Sequence, residues 1–165
     1  MFTLLSSFIL IILIYVLARP LVSGAVYFDT SREHTELIMR LAELKPGENV
    51  CDLGSGDGRI LIESAKLGAE AHGYEIDPVM VFRSRRAVRR EGLQDKAFIH
   101  WQSFWSADLS SYNIVIVYGC PKIMARLGKK LKSELKQGTK VISNIYEFPG
   151  WQPKKEEKKV RLYVV

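Results

Sequence analysis

Cysteine is nearly missing: Cys51 and Cys120 are the only two in 165 residues. They stand in unrelated contexts without a C-x-x-C spacing, so neither a disulfide framework nor a zinc site is indicated, and no metal is expected. Both read as small buried hydrophobes. The three histidines, His34, His72 and His100, are scattered and are assigned no chemistry. Repeats, low-complexity tracts and Gly/Ser linkers are also lacking, which argues against a solenoid or a string of domains. Charge is missing from the first 18 residues and then abundant, with a formal net charge of +6. That excess points to acidic company, whether nucleic acid, anionic lipid or protein.

The uncharged beginning has its apolar centre in Phe8 to Leu17. A membrane span needs roughly 20 residues, and the run reaches that length by extending to Val22 if Arg19 snorkels to the interface. We expect residues 1–24 to form one transmembrane anchor and residues 25–165 one folded domain. No Lys or Arg precedes the span, whereas Arg19 and Arg32 follow it, so the domain should face the cytoplasm. A cleaved signal peptide with Ser23 and Ala25 near the cut competes with this reading. It is weakened by the missing positive n-region and by Arg19.

Within the domain, Thr30 or Ser31 can cap a helix whose Leu37, Ile38, Leu41 and Leu44 follow helical spacing up to Pro46-Gly47. That helix should pack on the core and could serve as a lid. Strand and helix then alternate. Strands are expected at Val50 to Leu53, Ala71 to Ile76, Ala97 to Gln102, Ile114 to Tyr118 and Lys140 to Ile145. Helices are expected at Ile60 to Leu67, Pro78 to Glu91 and Pro121 to Leu135. The pattern predicts an α/β fold, a parallel sheet with helices on both faces. Lys159 to Val165 reads as a last strand after a lysine-rich hairpin.

The glycines of Asp52-Leu53-Gly54-Ser55-Gly56-Asp57-Gly58-Arg59-Ile60 allow a sharp turn and close approach of a ligand to amides at a helix N-terminus. A dinucleotide fingerprint would place its third glycine at position 59, where Arg stands, and a Walker loop would need Gly-Lys-Ser/Thr. NAD and ATP are both disfavoured. About 20 positions downstream, at a strand end, a carboxylate can accept the hydroxyls of a ribose. Glu75 in Gly73-Tyr74-Glu75-Ile76-Asp77-Pro78 meets that requirement. Asp57 and Asp77 read equally well as turn or cap residues.

Together these two segments resemble motifs I and II of class I S-adenosylmethionine methyltransferases. Within that superfamily the chain is most similar to the small membrane-anchored protein-lysine methyltransferases, whose mitochondrial members modify the adenine nucleotide translocase and the ATP synthase c-subunit, and to their prokaryotic relatives. Four further features carry the narrower likeness: the apolar N-terminus, Thr30-Ser31 before the first helix, Lys136-Gln137-Gly138 after the last one, and Phe148-Pro149-Gly150-Trp151-Gln152-Pro153. The resemblance implies a Rossmann-like sheet and S-adenosyl-L-methionine as cofactor. It places Asp52, Gly54, Ser55 and Gly56 at the methionine end, Glu75 at the ribose and Ile76 on the adenine face. After the third strand the family carries an acidic residue, Leu and an aromatic, whereas this chain has Ser103-Phe104-Trp105. Ser103 can still hydrogen-bond the adenine amino group, though less strongly.

A sulfonium methyl is displaced in line by a lone pair, so the protein mainly positions reactants and helps a lysine shed its proton. Tyr118 and Trp151 are the candidates for an aromatic channel that desolvates the amine and steadies the cation. Lipid or quinone methylation would use the same anchor, and a degenerate binding domain without turnover is a third reading. Arg83, Arg85, Arg86, Arg89 and Arg90, with Lys129, Lys130 and Lys132, raise RNA as a fourth. Such runs more often face solvent or anionic lipid. Adenine-N6 methylation of DNA is disfavoured, because Tyr118-Gly119-Cys120-Pro121 stands where Asn/Asp-Pro-Pro-aromatic belongs.

Overall fold

The computed structural model describes Ser7, Leu10, Ile14 and residues 30–165. The expected anchor at 1–24 lies almost wholly outside the described residues; among those described, no helix is long and apolar enough to cross a membrane.

Helix α1, Arg32–Ala42, opens on the side chain of Ser31, which accepts the His34 N–H. Its apolar positions Leu37, Ile38 and Leu41 recur every third or fourth residue and are all buried. The alternation that follows runs β1 (Asn49–Leu53), α2 (Arg59–Lys66), β2 (Glu70–Glu75), α3 (Pro78–Arg90), β3 (Ala97–Trp101), β4 (Ile114–Val117), α4 (Pro121–Glu134) and β5 (Lys140–Asn144). A hairpin of β6 (Lys155–Glu157) and β7 (Val160–Val164) ends the chain. Between β3 and β4, Phe104–Ser106 form a 3-10 turn, which the sequence pattern does not announce.

The strands form one sheet in the order β3-β2-β1-β4-β5-β7-β6. The first five are parallel, as expected. The last strand corrects a purely parallel reading, because β7 runs antiparallel to both β5 and β6. The two-residue turn between β6 and β7 accounts for the reversal of that pair, since a parallel return needs a crossover of a dozen or more residues.

Side-chain alternation decides which layer each strand residue joins. Ile114 and Ile116 of β4, with Val50 and Ile142, pack beneath α1. Val115 and Val117, with Cys51, Leu53 and Val141, pack against Met124, Leu127 and Leu131 of α4. All four residues of β4 are buried, the continuous apolar run expected of a central parallel strand covered on both faces. Each large side chain in these layers contributes roughly 1.5–3 kcal/mol by leaving water. Since β1 neighbours both β2 and β4, the chain changes winding direction there, and a crevice opens beyond the carboxyl ends of β1 and β4.

Candidate functional site

A cleft of about 1170 Å³, counting its open mouth, occupies that crevice. Its floor is the turn from β1 into α2. Gly54, Gly56 and Gly58 there all have positive φ, at 86°, 52° and 84°, so the motif's glycines are needed for the backbone path itself. Across from the turn, a side chain on Gly73 would collide with Ser55, whose Oγ lies 2.5 Å from the position of a built Cβ. Strand β2 must therefore be bare at that position.

Glu75 binds the two motifs together. Its Oε2 accepts the Gly56 N–H at 2.9 Å, and its Oε1 accepts the N–H groups of Ile76 and Asp77 at 2.7 and 2.8 Å. A carboxylate offers about four acceptor sites, so three are engaged in shaping the loops and room for a ribose hydroxyl remains. The second role, as the organiser of both turns, is invisible in the motif. Asp77 and Asp57 take the cap and turn readings: Asp77 Oδ1 accepts from Val79 N and Met80 N, and Asp57 accepts from Arg59 N and pairs with its guanidinium at 3.2 Å.

Asp52, at the end of β1, is 5% exposed. Burial, then the neighbouring charges of Glu75 and Asp57, push its carboxyl up to about 8. Its proton is thus held in neutral solution, and a cation brought into the cleft would draw the ionised form back. Ser55 Oγ and Asn144 Nδ2 are buried without a hydrogen-bond partner, and both residues line the cleft. A cradle of bare glycine backbone, a strand-end carboxylate and the orphaned Ser55 hydroxyl fits a ligand with ribose, amine and carboxylate groups.

Gly54, Ser55, Gly56, Asp52, Glu75, Ile76, Ser103 and Tyr118 all line this one cleft. Ser103 also caps its own 3-10 turn by accepting the Trp105 N–H. Trp151 is not brought to the cleft: its ring packs on Phe148 at 4.9 Å and Tyr163 at 5.6 Å, with Lys132 Nζ 5.0 Å above it. The aromatic beside Tyr118 is instead Tyr146, 6.3 Å between ring centroids. Burial, then Tyr146, raises the Tyr118 hydroxyl above its ordinary value, so it stays protonated. Cys51 is buried, its thiol pushed well up by desolvation, and Cys120 is half-buried; no disulfide joins the two.

Four further side chains bear on the cleft. Thr30, Arg59, Trp105 and Asn144 line the cleft. The Arg59 guanidinium donates to the Thr30 carbonyl and so ties α1's start to the glycine turn. Arg126 lies 4.1 Å over the Trp105 ring. The signal for Asn144 was available: a polar residue at the carboxyl end of a strand next to β4 is where open α/β sheets bind ligands.

The ANTKMT methyltransferase domain family matches residues 52–155. The chain is 34% identical to the human lysine N-methyltransferase of the ATP synthase c-subunit, over 87% of this chain and 64% of the relative. It is 32% identical to a protein-lysine N-methyltransferase of Saccharolobus islandicus, over 78% of this chain and 81% of the relative. The chain thus spans slightly less than two thirds of the human protein. Among solved structures, an RNA methyltransferase from Salinibacter ruber in complex with S-adenosyl-L-homocysteine superposes with a TM-score of 0.78 at 29% identity, covering 83% of this chain and 92% of that one. A precorrin 8w decarboxylase from Methanobacterium thermoautotrophicum shares the fold at TM-score 0.67 and 19% identity, covering 86% and 88%.

Proposed function

The chain belongs to the ANTKMT methyltransferase domain family, and from that membership we propose that it is an S-adenosylmethionine-dependent protein-lysine N-methyltransferase acting on a membrane or membrane-associated protein. One observation carries the reading: the glycine turn and the Glu75 carboxylate are joined by the Gly56 bond inside a single cleft, in a chain about a third identical to lysine methyltransferases. Asp52 and the Gly54-Ser55-Gly56 amides would hold the methionine end, Glu75 the ribose, and Ile76 with Ser103 the adenine. Tyr118 would flank the acceptor, with Tyr146 rather than Trp151 as its aromatic neighbour.

Held by Asp52, the glycine turn and Glu75, the cofactor would supply an electrophilic sulfonium methyl for an amine lone pair, and the proton released would go to water. The chain's own task is to hold the amine in line and dry. Loss of water around the amine as it enters the cleft disfavours the ammonium and so frees the lone pair. The apolar, uncharged run of the first 18 residues supports an anchor with the domain on the cytoplasmic side, which would hold the cleft near membrane-embedded acceptors.

Isolated membranes incubated with the full-length protein and a methyl-labelled cofactor test this. A labelled polypeptide whose acid hydrolysate contains methyl-lysine is the expected result; label confined to extractable lipid would replace it with lipid or quinone methylation. The Salinibacter ruber neighbour, an RNA methyltransferase, and the exposed Arg83, Arg86, Arg89 and Arg90 of α3 favour RNA as a second acceptor. RNA binding that falls steeply with added salt, together with label in RNA, would establish it.

A further inference from the structure

We infer that Asn144 is a catalytic residue of the methyl transfer, its amide carbonyl receiving one N–H of the incoming lysine amine, and that His34 is the positioning residue that turns this carbonyl into the cleft. The inference rests on the lysine reading above. Asn144 ends β5, is 1% exposed and lines the cleft. The pairing of Val117 with Ser143 sets Asn144 level with Tyr118, one step beyond β4. Alternation puts it on the sheet face of Ile142, the face covered by α1.

From α1, His34 Nδ1 lies 2.7 Å from Asn144 Oδ1, and Asn144 Nδ2 has no partner. A half-turn of the amide exchanges its oxygen and nitrogen at nearly the same positions. With the oxygen towards His34, two N–H donors stay unpaired in a dry site. With the nitrogen towards His34, one N–H donates to the Nδ1 lone pair of the Nε2–H tautomer, a single N–H stays unpaired, and the atom without a partner in this cleft-lining residue becomes the carbonyl oxygen. Buried orphan N–H groups are rarer in folded proteins than under-satisfied carbonyls, so the second arrangement is the resting one. The ligand that completes it must bring an N–H.

A primary amine carries two N–H bonds and one lone pair. Fixing one N–H at Asn144 while the Tyr118 ring closes another side leaves the lone pair a restricted direction, the kind of orientation that raises effective molarity. A neutral amide also suits the chemistry better than a carboxylate, which would stabilise the ammonium and oppose loss of its proton. The strand end is held rigidly for such a task. Ile145 has φ 69°, left-handed for a β-branched residue, and its N–H and carbonyl are pinned by Lys159 O and the Arg161 guanidinium at 2.9 Å each. An observed outlier of this kind beside a cleft fits a constrained functional position.

The test uses the full-length protein, isolated membranes as acceptor pool, a methyl-labelled cofactor, and calorimetry with S-adenosylhomocysteine. If the wild type labels no polypeptide, the lysine reading itself fails and Asn144 is not at issue. If it does, Asn144→Leu should lower kcat/KM for the acceptor by roughly 10- to 100-fold with S-adenosylhomocysteine affinity within about twofold. Asn144→Asp should keep or improve the apparent KM and lower kcat at neutral pH. His34→Phe should lower kcat, and His34→Asn, whose Oδ1 stands in for the ring nitrogen, should restore part of it. Wild-type turnover by Asn144→Leu overturns the inference. So does a tenfold weaker affinity for S-adenosylhomocysteine in Asn144→Asp, which would mean that the amide N–H faces the cofactor's carboxylate. Should Asn144→Leu fail to bind S-adenosylhomocysteine at all, the His34 pair decides, and His34→Phe with wild-type kcat would refute the arrangement.

Discussion

Asp52 sits in a place that is unfavourable for folding and useful for binding. Its carboxyl is raised from 3.8 to about 8, so between those values the folded chain binds more protons than the unfolded one, and stability falls as pH rises through that window. Asp52→Asn should therefore raise the melting temperature of the ligand-free protein at pH 7, with a gain of at most ~1.4 kcal/mol per pH unit above 4, and the gain should vanish near pH 4. The same change should abolish binding of the cationic cofactor. In the wild type, affinity for that cofactor should drop as pH is lowered from about 8, with proton release visible by calorimetry in buffers of different ionisation enthalpy. Gly58 shows the opposite kind of constraint. Its φ is 84° and a Cβ would lie 2.3 Å from Ser84 Oγ, so Gly58→Ala should destabilise by about 1–3 kcal/mol in urea unfolding. The glycine-rich turn and Glu75 could be read from residue types and spacing, because a bend and a carboxylate at a strand end are local properties. Aromatic identity alone suggests Trp151 for the acceptor channel, but it does not reveal which layer a loop folds into.

At the scale of elements, α1 is clasped to the β6-β7 hairpin by three surface ion pairs. Arg40 meets Glu157 at 2.6 Å and Lys155 meets Glu43 at 2.9 Å; the third joins Lys158 to Glu33. The Lys158 and Lys155 partners, chiefly through hydrogen bonds, hold the Glu33 and Glu43 carboxyls below their ordinary value. Their contribution is present above the normal carboxylate range and is lost as pH falls through the depressed values, and salt should screen it. α1 carries Ile38 to the cleft and sets His34 against Asn144, and added salt should also increase hydrogen exchange along Arg32–Ala42 more than along α2. The hairpin turns on Lys158 and Lys159, with φ of 47° and 65°, a geometry that Asn-Gly adopts more readily. Lys159→Gly should raise the unfolding free energy by about 0.5–1 kcal/mol, read as a higher urea midpoint at unchanged slope. The helices and the strands other than the three-residue β6 were legible to within one or two residues because period and caps are written locally. The antiparallel sense of β7 was not, since it is set by pairing with β5 across the sheet as well as by the turn from β6.

At the scale of the whole molecule, the described domain is a sheet covered on both faces whose carboxyl edge carries the unsatisfied Ser55 and Asn144 side chains. Occupying that edge should stabilise everything beneath it: S-adenosylhomocysteine at a hundred times its Kd should add about 2.7 kcal/mol, a rise in melting temperature of about 10 °C for a domain of this size. Asp52→Asn should show no such rise. The amino-acid sequence alone determined the order of elements, the bare backbone of the glycine turn and the carboxylate that follows it, because these follow from steric freedom, hydrophobic period and residue chemistry over short spans. Only the tertiary structure decided that Glu75 commits three acceptor sites to the two loops, that Tyr146 and not Trp151 stands by Tyr118, and that Asn144 reaches the cleft with His34 behind it. Those relations join residues as far as 110 positions apart, and distance through space is set by strand order and packing, which no local pattern encodes.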